Sequence, residues 1–107
     1  MPSPGDLRAW DAVIAASGAR AGVEVETELH DTQALERRIA LKQRDADIDV
    51  VILVVADTRR NRSAARAGWG TLVGSFPASG ASILRDLSAG RVPTASGLVW
   101  LPVRRAC

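Results

Sequence analysis

Glu24, Glu26 and Glu28 occupy every second position of "GVEVETELHD", residues 22–31. On a β-strand, where side chains alternate, this spacing puts three carboxylates on one face. Such a row could bind a divalent ion. Mg²⁺ is typically held by one or two carboxylates together with waters and phosphate oxygens. The competing expectation is ion pairing, with Arg37 and Arg44 of the next helix as partners. Like charges repel by about 1 kcal/mol per close pair in water, and by more when desolvated, so the row needs compensation. If a metal binds, Glu24 and Glu26 with Asp11 or Asp57 are the expected ligands. His30, the only histidine, follows the glutamates. It could join a hard-metal site or a general-base pair, or simply stand exposed at a helix start.

Asp57 is the second position of interest. It ends a Val-rich run and is followed by "TRRNR". Ligands of open α/β sheets bind beyond the carboxyl ends of the strands. An acid there, beside Arg59, Arg60 and Arg62, could hold a metal or a phosphate-bearing partner. Equally, it could cap a helix that carries surface arginines. Lys42 is the one lysine among fourteen basic residues. The remainder are arginines, whose forked guanidinium suits phosphate and carboxylate. Net charge is only +2, so the chain as a whole is not a polycation. No GxxxxGKS, GxGxxG or HExxH motif is present, and Ser75, Ser79 and Ser82 have no His or Asp at informative spacing. Cys107 is a lone terminal thiol and excludes both an internal disulfide and a cysteine metal site.

The elements that must position these residues follow from pattern. "DLRAWDAVIAAS" is expected to be a helix, with Leu7, Trp10 and Ile14 on one stripe. "SGARAG" then ends it, and "VEVETEL" at 23–29 alternates as a strand with Val23, Val25, Thr27 and Leu29 inward. Asp31 caps a second helix, "TQALERRIALKQRD". "VVILVVA" at 50–56 is an unbroken β-branched run, the mark of a central strand covered on both faces. A third helix begins in "RRNRSAARAG", capped by Asp57 or Thr58. "GTLVGSFPASG" reads as loop. "SILRDLSAG" forms a fourth helix ending at Gly90, and "LVWLPV" at 98–103 a last strand with Pro102 suited to an edge.

The expected architecture is α/β: a two- or three-layer sandwich on a small, mainly parallel sheet, in the order αβαβααβ. Residues 1–107 make a single domain, with 1–5 a loop or linker remnant. No run reaches the roughly 18 apolar residues of a membrane span, and "MPSPGDL" lacks the features of a signal peptide. A cytoplasmic location is expected. Trp69 and Trp100 are candidates for a homo-oligomer contact.

With "GDLRAWDA", "VEVETELHDTQALERRIALKQRD" and "VVILVVADTRRNR" in this order, residues 4–77 resemble a known group. It is the carboxyl-terminal domain that follows the helix-turn-helix in actinobacterial regulators of the XRE type. The resemblance implies a DNA-associated regulatory role in the cytoplasm; the expected function is a regulatory or interaction module without strong catalysis, and no cofactor is expected for it. The reading head itself is not within these residues, so nucleic acid would be met directly or through a separate helix-turn-helix partner. A more distant likeness is to nucleases of the PD-(D/E)XK type, which implies Mg²⁺. There Glu24-Val25-Glu26 would stand for the Glu-x-Lys element, Asp11 for a helix acid and Gln33 for the polar helix position. Arg37 or Arg59–Arg62 would meet phosphates. Position 26 lacks the lysine that helps activate water.

Overall fold

The computed structural model describes residues 9–103. The elements are β1 (Ala12–Ala16), β2 (Ala19–Glu26), α1 (Thr32–Ala46), β3 (Val50–Asp57), α2 (Arg59–Ala67), α3 (Trp69–Ser75), α4 (Gly80–Ser88) and β4 (Gly97–Pro102). The four strands form one mixed sheet in the order β1-β2-β3-β4. β1 pairs antiparallel with β2, and β2-β3 and β3-β4 are parallel. The class is therefore α/β as the pattern predicts, but the element order is ββαβαααβ rather than αβαβααβ.

The difference begins at the amino-terminal side. The expected helix over "DLRAWDAVIAAS" lies partly outside the described residues, and Ala12–Ala16 is a strand. Ser17 (φ 52°) and Gly18 (φ 82°) both sit in the left-handed region. Two such residues make the tight hairpin turn whose twist suits antiparallel strands. Alanine favours helix on its own, yet pairing with β2 from Ala12–Val23 to Ala16–Ala19 overrides that preference. The segment "ARAG", read as the end of a helix, is the first half of β2.

The second correction is α3, in a stretch expected to be loop. Glycines at 70 and 74 weaken it locally. Leu72 and Phe76, one turn apart and both buried, fix it to the core. Thr71 and Ser75, also one turn apart, donate their hydroxyls to the two carboxylate oxygens of Glu36 on α1, at 2.8 and 2.6 Å.

β3 is central, and both faces of it are covered. One face carries Val51, Leu53 and Val55 against Leu35 and Ile39 of α1, Ala65 of α2 and Leu72 of α3. The other carries Val50 and Ile52 against Ile83, with Leu87, of α4. Each fully buried Leu, Ile or Val contributes about 1.5–3 kcal/mol of transfer free energy. These are the contacts that hold the carboxyl ends of β2 and β3 side by side. Pro102 ends β4, an edge strand, as expected.

Candidate functional site

Glu24 and Glu26 project from β2 toward α1. The apolar positions Leu35 and Ile39 press α1 onto the sheet. That orientation turns Arg38 and Lys42 down along the flank of the helix, where their stems cover apolar surface and their charges reach the strand. Lys42 pairs with Glu24, and Arg38 donates to Glu26 at 2.7 Å. Glu24 is only 5% exposed, so its carboxylate is buried, while Lys42 reaches it from a partly exposed position. The expected partners, Arg37 and Arg44, are exposed on the opposite face of the helix. The inward set also differs from expectation. Val23 packs on the α4 side, Val25 is 41% exposed, and of the expected set Leu29 joins the α1-side core.

The third glutamate stands apart. Glu28 pairs with His30 at 3.1 Å in the loop before α1, and both side chains are mostly exposed. Asp31, as predicted, caps α1 by accepting from the Ala34 amide at 3.0 Å. Gln33 is exposed and lines a shallow cavity with His30, Thr32 and Thr71, away from the Glu24–Lys42 pair. Asp11 accepts from the Val25 amide at 2.8 Å. β1 has already ended opposite Val23, so this carboxylate takes the place of a missing strand partner.

Asp57 ends β3, two residues beyond the Glu26–Val55 pairing, at the same end of the sheet as Glu26. Arg62 of α2 grips it with both arms of the fork, at 2.7 and 3.0 Å. Those hydrogen bonds hold the Asp57 carboxyl below its ordinary value of 3.8, against a smaller opposing effect of desolvation, and the attraction of the charge adds to them. The same bonds raise the Arg62 pKa. The Arg62 guanidinium also lies 4.1 Å from the ring centroid of Trp100 on β4. The cap of α2 is Thr58, whose hydroxyl accepts from the Asn61 amide at 3.1 Å.

Sequence reasoning passed over Asn61, the one uncharged residue of "RRNR". It is 1% exposed. Its carbonyl accepts from the Leu29 amide, and its amide group donates to the carbonyls of Thr27 and Ala56, each at 2.9 Å. One side chain thus joins the ends of β2 and β3 to α2. A buried amide with three main-chain partners fixes local geometry, and any change that removes it leaves those groups unpaired. Its only sequence signal is a polar residue on the inward side of α2, four before Ala65.

Arg59 and Arg60 lie in the first turn of α2 and are exposed, as is Arg66. On a helical projection Arg59, Arg62 and Arg66 share the outward face. Among the described residues, Arg37, Arg59, Arg60 and Arg66 make no ion pair with a carboxylate. Nor does any group of three or more His, Cys, Asp and Glu among the described residues converge as a metal-binding set. The carboxylates and the Val-rich strand tip do lie at one end of the sheet. Each acid, however, is engaged by a separate cation or amide. The chain matches no protein-family model, no curated protein and no solved structure.

Proposed function

We propose that this domain is a nucleic-acid-associated regulatory or interaction module without catalysis of its own. In this reading the outward arginines of α2 contact phosphate. One observation carries it: Glu24, Glu26, Asp57 and Asp11 are each engaged by a cation or an amide of the chain, while Arg59, Arg60 and Arg66 are exposed without a carboxylate partner among the described residues. Two cations in the first turn of a helix oppose its dipole, and a bound anion relieves that cost. The resemblance to the carboxyl-terminal domain of XRE-type regulators points the same way, and with it a cytoplasmic homodimer working beside a DNA-reading partner. No cofactor is required.

Fluorescence anisotropy of a labelled duplex tests this. The chain should bind at low salt, and the triple variant Arg59→Ala/Arg60→Ala/Arg66→Ala should bind more weakly at every sequence. The slope of log affinity against log salt should fall by about 0.9 for each phosphate that the variant no longer neutralises. Binding that is absent at low salt, or untouched by the triple variant, would refute it.

A divalent-metal nuclease is the second reading, and one ion pair favours it. Lys42 supplies to the acidic strand face, from α1, the ammonium that position 26 lacks. In that case Mg²⁺ would sit on Glu24 and Glu26 with Asp11 or Asp57, and Gln33, which lines a separate cavity, would take no part. Incubation with DNA and RNA in Mg²⁺ or Mn²⁺, beside a Glu26→Ala control, decides it. Intact substrate in all conditions removes the nuclease reading.

A further inference from the structure

A groove of about 450 Å³ opens beside the edge strand β4. Its walls are Trp69 from the start of α3, Trp100 and Leu98 from β4, and the segment that leads from Pro77 into α4. Among the described residues, no charged one lines it. Trp69 is 48% exposed, a large apolar surface to leave in water without a partner. Arg62, paired with Asp57, rests on the Trp100 ring, and the exposed Arg66 precedes Trp69 by three residues in sequence.

We infer that this groove takes an unpaired base of a single-stranded nucleic acid, stacked on Trp69 and Trp100, with its flanking phosphate on Arg66. The inference rests on the reading that the α2 arginines meet phosphate, and it names the form of nucleic acid. Aromatic platforms beside a basic track are how single strands are held without sequence readout, because every base has a π-face to offer. A base is flat and apolar on its faces, and its phosphate is anionic. The groove and its margin match that division. The volume lies within the range of about 300–1,000 Å³ usual for ligand pockets.

A peptide strand added to β4 is less well served. Ala78 already bridges to Gly97 at the start of that edge, and its amide donates to the Ser96 carbonyl at 2.9 Å. Pro102 removes a donor at the other end. What remains is an aromatic recess rather than a long open ladder.

The test is tryptophan fluorescence of the full chain at low salt. It is titrated with an oligothymidine of roughly ten nucleotides, within the usual site size, and with a duplex of the same length. The single strand should quench emission saturably. Trp69→Ala, at an exposed site, should leave the melting temperature unchanged and weaken single-strand binding by about five- to 150-fold, the range for loss of one stacked base. It should leave duplex binding as it was. Arg66→Ala should weaken both. Equal single-strand affinity in Trp69→Ala overturns the inference. So does a groove filled by a second copy, seen as a dimer in sedimentation that Trp69→Ala dissolves, or quenching by a proline-rich peptide but not by the oligonucleotide. If the duplex binds and the single strand does not, the inference fails while the phosphate reading stands. If neither binds, both fail.

Discussion

Glu24 is buried beneath α1 with Lys42, itself partly exposed, as its counter-charge. A buried charge is tolerated only while its partner is present, and removing one partner costs more than removing both. Glu24→Gln should therefore destabilise the domain by on the order of 3 kcal/mol, read as a shift in urea midpoint. Glu24→Leu combined with Lys42→Met should recover most of that loss. A double variant as unstable as the single one would show that the pair does more than neutralise itself. Asp57 and Arg62 behave differently, because both are open to solvent. The folded Asp57 carboxyl is held below 3.8, so its contribution is present above that pH and is lost as pH falls through the lower folded value. The melting-temperature gap between the native chain and Asp57→Asn should be constant from neutral pH to about 5 and close below 3.8. A gap that widens on acidification would contradict the sign.

At the scale of elements, Gly22 on β2 lies against the Trp10 ring, and a Cβ placed there would meet Trp10 Cε3 at 2.6 Å. Trp10 in turn lies under the Lys42 ammonium at 4.9 Å. Gly22→Ala should force the indole out of its place and destabilise the fold by about 1–3 kcal/mol, as overpacking does. An unchanged denaturation midpoint would mean that the strand has room to shift. The elements differ in how far the sequence disclosed them. α1 and β3 were legible because each carries its own signal: a capping Asp31 before strong helix formers, and a β-branched run too long to alternate. β1 was not, because "AVIAA" has no strong preference and becomes a strand only when β2 is beside it. The same holds for α3, whose glycines speak for loop until Leu72, Phe76 and Glu36 are in place. Of the carboxylate row, Glu24 and Glu26 were legible from the period of two, whereas Glu28 falls past the end of β2. The partners of the first two were misassigned, although the helical spacing of α1 held the answer. Once Leu35 and Ile39 face the sheet, Arg37 and Arg44 must point away and Arg38 and Lys42 must flank it. Asn61 was hidden because a single buried amide leaves no periodic trace.

For the molecule as a whole, charge is sorted by pairing. The acids at the carboxyl end of the sheet are drawn into ion pairs, and the surplus arginines are left on the outside of α1 and α2. On the proposed reading, the surplus arginines receive anions and the paired acids take no cation beyond their own partners. The most direct test is a calorimetric titration of the pure chain with Mn²⁺, at neutral pH and without nucleic acid. Heats of dilution alone are expected, for the native chain and for Glu24→Gln alike. A saturable isotherm that vanishes in Glu24→Gln would contradict this sorting, and would make the acidic row a metal site after all.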